Sequence, residues 1–178
     1  MSNLRPGDLQ PAQSAALPYR LRDGQVEVLL VTPRGGAGWI IPKGKVEARL
    51  GPAESAAREA EEEGGVRGEI DPDPFDRYRH GGEDGPLVTV FLLRVTRELA
   101  SWAEAHERER HWASLDKVAG LVLDPGLQRV MDEAAAYLPT HALAAKDAGD
   151  RPRRKRSRRF GPALLLAALL GAAIAFLI

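Results

Sequence analysis

The chain has no cysteine among its 178 residues. This absence excludes disulfide bonds, thiolate nucleophiles and cysteine-bound metal centres. Aromatic residues are scarce, at 6% of the chain, and neither charge is in excess, because 25 basic side chains balance 25 acidic ones. With 44% hydrophobic and 28% charged residues, the composition is typical of a globular protein and excludes collagen-like and polytopic membrane proteins.

The balanced overall charge hides two regions of different character. Seven of the 25 basic residues lie between Arg151 and Arg159, so residues 1–150 hold the other 18 basic residues beside 25 acidic ones, a net charge of −7. An acidic region of this kind is a poor match for a broad nucleic-acid-binding face. We therefore expect no specific nucleic-acid partner.

The last 19 residues, 160–178, contain no charged side chain. As a helix they would be roughly 28 Å long, close to the ~30 Å hydrocarbon thickness of a bilayer. They predict a single C-terminal transmembrane anchor, and the basic residues before it predict that the rest of the chain faces the cytoplasm. The alternative, a buried helix of the core, is disfavoured because residues 164–178 are apolar on every side.

The sequence before this segment predicts an α/β domain. Apolar runs on both sides of Asp23-Gly24 predict a β-hairpin, and the pattern becomes helical from Pro52 until Gly64-Gly65. We expect further strands at 39–41, 75–80 and 87–95, and further helices at 115–121 and 126–138. The predicted organisation is a flexible arm at 1–16, a catalytic domain at 17–138, a linker with the basic residues at 139–159, and the anchor at 160–178.

Three glutamates give the strongest chemical signal. On the predicted helix, Glu59, Glu62 and Glu63 stand at positions i, i+3 and i+4, so their carboxylates share one face. Like charges repel, and a hard divalent cation with oxygen ligands offsets this repulsion most directly. Mg²⁺ binds carboxylates together with water and substrate phosphate oxygens, so the cluster predicts phosphoryl chemistry. The alternative is an ordinary solvated acidic face.

The residues around this cluster have a specific spacing. Residues 44–66 resemble the Nudix box, G-x(5)-E-x(7)-R-E-U-x-E-E-x-G-U with U apolar, and match it at Gly44, Arg58, Glu59, Glu62, Glu63, Gly65 and Val66. One position departs, since Leu50 stands where the pattern has its first Glu, and Ala60 is smaller than the usual aliphatic residue. The resemblance implies a Nudix-type α/β/α sandwich with a mixed sheet, to which the predicted transmembrane helix is added.

Segments outside the box resemble one branch of the family, the diphosphoinositol polyphosphate phosphohydrolases, which also act on diadenosine polyphosphates. These segments are 17–20, 39–44 and 102–112, the last followed by Leu115-Asp116. The glycine run that animal members carry ahead of the box is replaced here by Pro42-Lys43-Gly44. This departure bears on the substrate more than on the fold.

The resemblance also implies roles for single residues. Glu59, Glu62 and Glu63 would hold Mg²⁺, or Mn²⁺ in its place, and the backbone carbonyl of Lys43 could supply one further oxygen ligand. Arg58 would orient the carboxylates. The residues expected to meet the substrate's phosphates are Arg20, Arg34, Lys43 and Gly44, the three cations being plain surface charges in the alternative interpretation.

Other polar and aromatic residues are less informative. The general base stays open among Glu62, Glu63 and the loop residues Glu83, Glu104 and Glu107. The histidines His80, His106 and His111 show no metal-ligand spacing and are interpreted as surface or packing residues. Trp102 and Trp112 are interpreted as packing residues rather than as platforms for substrate stacking.

These observations predict a Mg²⁺-dependent pyrophosphohydrolase that cleaves a phosphoanhydride bond in a diphosphate-linked substrate, such as a diphosphoinositol polyphosphate. One alternative is a hydrolase of diadenosine polyphosphates or ADP-ribose. Another is a membrane-tethered, non-catalytic sensor of a phosphorylated ligand. The intact set Glu59, Glu62 and Glu63 favours an enzyme, because a decayed site would have little physical reason to keep three carboxylates that repel one another.

Overall fold

The structure, a computed structural model, describes residues 12–149 of the chain. Three strands precede the first helix of this part of the sequence, four strands follow it, and two helices end it. The elements are β1 (Gln13–Arg22), β2 (Gln25–Val31), β3 (Lys43–Lys45), α1 (Pro52–Gly64), β4 (Val66–Ile70), β5 (Asp76–Arg79), β6 (Leu87–Glu98), β7 (Arg110–Ser114), α2 (Leu115–Leu121) and α3 (Pro125–Gly149).

The strands form one seven-stranded sheet in the order β4-β6-β1-β2-β7, while β3 also pairs with β1 and β5 also pairs with β6. β1 and β6 run parallel, with Gln13 opposite Val88 and Tyr19 opposite Arg94, whereas the other pairs are antiparallel. The sheet is therefore mixed, as predicted. The continuously apolar run of β6 is buried on both faces, because helices cover both sides of the central strands.

Helices lie on both faces of this sheet. α1 packs against one face through Ala56 and Ala60, which join a buried cluster with Leu29, Phe91 and Leu93. α2 and α3 cover the other face, where a larger apolar cluster forms around members such as Leu17, Leu30, Val118, Leu127 and Met131. The structure thus confirms the α/β sandwich part of the predicted fold.

The hairpin turn at Asp23-Gly24 and both ends of α1 lie where the sequence predicts them. Asp23 and Gly24 have φ of 51° and 79°, the left-handed pair that a tight hairpin between β1 and β2 requires. α1 begins at Pro52 and ends at Gly64, and Gly65 follows it with φ of 63°. Because an L side chain is strained in that conformation, a glycine after the last helical residue ends the helix at little cost.

Several boundaries differ from those predicted. Residues 39–41 form only isolated bridges, and the strand of this region is β3, which begins at Lys43. β4 was not predicted, because Arg67, Gly68 and Glu69 interrupt its apolar pattern, yet it pairs with β6 across a bulge. β1 already begins at Gln13, and α3 continues to Gly149.

The predicted transmembrane helix, and with it the membrane localisation and the membrane partner, is corrected. Within residues 12–149, no helix is both long and apolar enough to cross a membrane. The longest described helix, α3, fails because it carries charged residues such as Arg129, Asp132 and Glu133. Residues 160–178, on which the prediction rested, lie outside the described residues, as do the basic residues from Arg151 to Arg159.

Candidate active site

The box residues meet where β3 lies beside α1. Gly44 pairs with Ser14 of β1 on the face of the sheet that α1 covers. A Cβ atom at position 44 would lie 1.8 Å from Glu59 Oε1 and 2.3 Å from its Cδ, far inside van der Waals contact. Only glycine therefore leaves room for the Glu59 carboxylate, which links the first residue of the box to its central glutamate.

Glu59 is a half-buried carboxylate without a partner. Among the described residues, no donor forms a hydrogen bond or an ion pair with its oxygens. Its pKa is raised, first because burial penalises the charged form and then because the negative charges of Glu62 and Glu104 are close. A carboxylate in this position gains from any cation that reaches it.

Glu63 is buried more deeply and is fully engaged. Its Oε1 forms an ion pair with Nη2 of Arg108, and its Oε2 accepts a hydrogen bond of 3.1 Å from the backbone N–H of Lys43. Burial raises the pKa of Glu63 to about 7 despite the opposing effects of the Arg108 charge and the Lys43 hydrogen bond. The carboxylate of Glu63 and the main chain of Lys43 thus lie side by side.

Arg108 connects this carboxylate to the loop between β6 and β7. Its side chain is only 7% exposed, and besides Glu63 it donates to the Thr32 carbonyl at 2.7 Å and to Glu104 Oε2 at 2.6 Å. A buried guanidinium needs such partners, because an unpaired buried charge is costly. Arg108 was not predicted from the sequence, where its only signal is a basic residue within the largely acidic stretch from Glu104 to Arg110.

The third box glutamate faces solvent. Glu62 Oε1 accepts a 2.8 Å hydrogen bond from Nε of Arg58, whose Nη1 also donates to Glu47 Oε2 at 3.0 Å. Arg58 therefore links the carboxylates of Glu62 and Glu47. Glu47, which lies three residues before Leu50, gives Arg58 a second carboxylate partner.

Lys43 is the first residue of β3, and charged residues from both faces of the sheet act on it. Burial lowers the pKa of its ammonium group, and the negative charges of Glu63 and Glu59 oppose this shift. On its other side is His80, whose Nδ1 lies 3.0 Å from Oδ2 of Asp124. The pKa of His80 is lowered by burial and then by the Lys43 charge. Among the described residues, Lys43 forms no ion pair, so its ammonium group is available to an anionic ligand.

The other two predicted phosphate contacts are engaged elsewhere. Arg20 stands six residues along β1 from Ser14, about 20 Å away at roughly 3.3 Å per residue. Its guanidinium lies 3.9 Å from the Trp112 ring centroid and pairs with Glu27 and Glu98. The structure therefore does not bring Arg20 to the box.

Arg34 lies nearer to the box but is also paired. It is 61% exposed and forms ion pairs with Glu104 and with Glu107, the latter at 3.0 Å. Of the loop carboxylates considered as a base, Glu104 is the one whose charge raises the pKa of both Glu59 and Glu63. Glu107 instead lies beside Arg34 and the exposed His106.

The donor set fits a hard divalent cation in chemistry, since it consists of carboxylates on one helix with a peptide carbonyl beside them. Within residues 12–149, however, no group of three or more histidine, aspartate or glutamate side chains is close enough to hold a metal ion. Of the three predicted ligands, Glu59 alone is unpaired among the described residues.

The described residues form a mixed sheet between helices, with a glutamate-bearing helix packed against a glycine-containing strand. The NUDIX domain family matches residues 11–138. Nudix hydrolase 4 of Arabidopsis thaliana is 33% identical over 142 residues, which cover 74% of this chain and 67% of the plant protein. The chain therefore belongs to the Nudix family.

Solved structures share the fold at lower identity. The Ap4A hydrolase of C. elegans superposes with a TM-score of 0.60 at 19% identity, over 73% of this chain and 99% of the worm protein. The NUDIX domain of Shewanella oneidensis NrtR, in complex with ADP ribose, gives 0.56 at 18% identity, over 72% and 88% of the two chains. Hydrolases of this family generally need a divalent metal ion.

Proposed function

We propose that this chain is a Mg²⁺-dependent pyrophosphohydrolase that cleaves the phosphoanhydride bond of a diphosphate linked to a nucleoside. The observation that carries the proposal is the unpaired, half-buried Glu59 carboxylate beside Glu62 and Glu63. Glu59, Glu62 and Glu63 would hold the ion, with the carbonyl of Lys43 beside them. When bound, the ion would neutralise charge on the phosphate oxygens during attack by water.

The chain's own residues would prepare this reaction. Arg58 orients Glu62, and Arg108 with the Lys43 N–H orients Glu63, so two of the carboxylates are held before any ligand arrives. The Lys43 ammonium group would bind a phosphate of the substrate, and Gly44 keeps space for Glu59. Of the loop carboxylates, Glu104 would accept a proton from the attacking water, because its charge acts on both Glu59 and Glu63.

The supply of free cations favours a substrate with few phosphates. Arg20 and Arg34 are paired with carboxylates, which leaves Lys43 as the predicted phosphate contact without an ion pair among the described residues. A diphosphoinositol polyphosphate carries charge all around its ring and would need several such cations. A dinucleoside polyphosphate or ADP-ribose needs them only along its phosphate chain, and structural relatives act on Ap4A or bind ADP ribose.

A substrate panel tests this proposal. Purified full-length chain would be assayed on diadenosine tetraphosphate, ADP-ribose, a diphosphoinositol pentakisphosphate and a nucleoside triphosphate, with Mg²⁺ or with EDTA. We expect hydrolysis only with the ion, and a kcat/KM highest for one of the first two substrates. A preference for the diphosphoinositol substrate would overturn the substrate class while leaving the reaction in place.

Glu59→Gln gives the matched test of the metal site. The substitution keeps the side chain's size but removes the unpaired charge, so we expect hydrolysis to fall at least about a hundredfold, on the scale of a lost charge-stabilising group. Glu54→Gln, in the first turn of the same helix, is the control. Equal activity of Glu59→Gln and the unaltered chain would overturn the assignment of the site.

A further inference from the structure

One segment of the chain reaches the C-terminal end of α1. Residues 99–110, which are the β6–β7 connection and the first residue of β7, supply donors to the carbonyls of Glu62, Glu63, Gly64 and Gly65, whereas the Glu61 carbonyl accepts from the Gly65 N–H. Glu104 N–H donates to the Glu62 carbonyl at 3.1 Å, and the Trp102 indole Nε1–H donates to the Glu63 carbonyl at 3.1 Å. These two carbonyls belong to the residues that carry the proposed metal-binding carboxylates.

The following two carbonyls are held in the same way. Arg110 Nη1 lies 3.2 Å from the carbonyl oxygens of both Gly64 and Gly65, and the Leu99 N–H donates to Gly65 at 2.8 Å. The final carbonyls of a helix have no partner within the helix, so they need outside donors or water. We call the four donors Leu99, Trp102, Glu104 and Arg110 the α1 cap.

The side chains of the α1 cap also support each other. The Arg110 guanidinium lies 4.3 Å from the Trp102 ring centroid, within the range of a cation–π contact. A Cβ atom at Gly65 would lie 2.6 Å from the Trp102 ring and 2.9 Å from Arg110 Nη1, so both groups rest directly on the glycine backbone. A cationic guanidinium at a helix C-terminus also interacts favourably with the helix dipole.

From this geometry we infer that Trp102 and Arg110 are positioning residues, which fix the end of α1 so that the carboxylates of Glu62 and Glu63 converge on a divalent cation. The inference rests on the function proposed above. Neither side chain contacts the substrate in this scheme. They act through the helix backbone, because a shift of the last turn would carry both carboxylates with it.

The molecule contains a natural control. Trp112 also donates through its indole N–H, to Glu98 Oε2 at 3.1 Å, and it also carries a stacked arginine, Arg20, at 3.9 Å. Trp112 also packs against the apolar cluster under α1, but among the described residues this second tryptophan–arginine pair donates to no carbonyl of that helix. Trp102→Phe and Trp112→Phe therefore remove the same kind of donor, keep a ring, and differ in what the donor held.

The experiment compares these variants and Arg110→Lys in the full chain. Mn²⁺ binding would be measured by electron paramagnetic resonance, kcat and KM by a hydrolysis assay, and stability by thermal unfolding. For Trp102→Phe and Arg110→Lys we expect Mn²⁺ affinity and kcat to fall about tenfold, the loss of about one hydrogen bond, with KM unchanged. Trp112→Phe should change the Mn²⁺ affinity, kcat and KM by less than about twofold. Its loss of melting temperature should equal that of Trp102→Phe.

Each outcome decides the inference. Unchanged Mn²⁺ affinity and kcat in both Trp102→Phe and Arg110→Lys would overturn it, as would an equal loss in Trp112→Phe, which would indicate general destabilisation. If one variant does not fold, the other carries the test. If the unaltered chain binds no Mn²⁺, both the proposed function and this inference fail. If the unaltered chain binds Mn²⁺ and the variants bind it equally well, only the inference is overturned.

Discussion

The two faces of the sheet are built differently. The face under α3 has a large core with long aliphatic side chains, among them Leu127, Met131 and Leu138. The face under α1 has a smaller core, in which the helix contributes the alanines Ala56 and Ala60. Since hydrophobic stabilisation grows with the apolar area buried, α3 is held mainly by its side chains. α1 gains much less from burial and depends more on polar contacts.

The charges follow the same division. On the α1 side the structure buries a carboxylate and a guanidinium, Glu63 and Arg108, both less than a tenth exposed. Such a pair contributes little net stability when compared with an apolar pair of the same size. This buried pair lies beside the smaller core, whereas the α3 face buries the larger set of apolar side chains.

The largest expected effect comes from truncating a long side chain under α3. Leu127→Ala should lower the free energy of unfolding by about 2–5 kcal/mol, because a fully buried leucine leaves a cavity. Ala60→Gly, at a fully buried position under α1, should cost only about 1 kcal/mol, close to the difference in helix propensity. Urea unfolding measures both values. Equal losses would contradict the comparison of the two faces.

A second prediction concerns pH and the buried carboxylate. Burial raises the pKa of Glu63 from its ordinary value of 4.5 to about 7 in the folded chain. Between pH 4.5 and pH 7 the folded state therefore keeps a proton on Glu63 that the unfolded state has released. Stability should therefore fall as the pH rises from about 4.5 to about 7, by roughly 3 kcal/mol at most. Unfolding in EDTA at pH 5 and pH 7.5 measures this loss.

Glu63→Gln is the control for this pH dependence, since glutamine does not titrate. The variant should show a flatter stability profile across the same interval. A divalent ion that binds the ionised carboxylate should also flatten the profile of the unaltered chain, because it stabilises the folded state at the higher pH. Identical slopes for the variant and the unaltered chain in EDTA would contradict the assignment of the shift to Glu63.

A third prediction concerns Lys43, the first residue of β3. Lys43→Met removes a half-buried ammonium group without an ion pair among the described residues, so we expect KM to rise about tenfold with kcat little changed. Lys45→Met, two residues further along β3 at an exposed position, is the matched control. Steady-state kinetics on the best substrate of the panel measures both. An equal rise in KM for Lys45→Met would indicate a general effect of surface charge.

The parts of this fold that follow local rules could be predicted from sequence. The Asp23-Gly24 hairpin, the start of α1 at Pro52 and its end before Gly65 depend on residues adjacent in the chain. β4 could not be predicted, because its interior residues are polar and its pairing with β6 depends on residues far along the chain. The anchor predicted at 160–178 finds no support among the helices of residues 12–149.

In the candidate site, too, the residues with a fixed local spacing could be predicted, and those that depend on the tertiary fold could not. The glutamates and Gly44 could be found because their spacing is fixed on one helix and one strand. The partners of those residues could not, since Arg108 and Trp102 come from a loop more than thirty residues later and reach α1 only through the tertiary fold. Arg20 shows the reverse case, a suitable residue type whose place along β1 is about 20 Å from the box.

The smallest effect is expected at the position that departs from the box. Leu50→Glu restores the usual residue, yet Arg58 is already paired with Glu47 at 3.0 Å and with Glu62 at 2.8 Å. A new carboxylate would compete with Glu47 for an exposed guanidinium, and exposed ion pairs contribute little. We therefore expect the apparent Mg²⁺ affinity to change less than about threefold and the reaction to stay the same.

The double variant Glu47→Gln with Leu50→Glu sharpens this last prediction. Glu47→Gln alone should weaken the hold of Arg58 and lower Mg²⁺ affinity modestly, because Glu62 then loses part of its support. Adding Leu50→Glu should restore the lost affinity if the two carboxylates are interchangeable partners of Arg58. Activity titrated against Mg²⁺ for the four chains measures their coupling. A large gain from Leu50→Glu alone would instead indicate that Glu47 does not replace the missing charge, and that the α1 face lacks a carboxylate it needs.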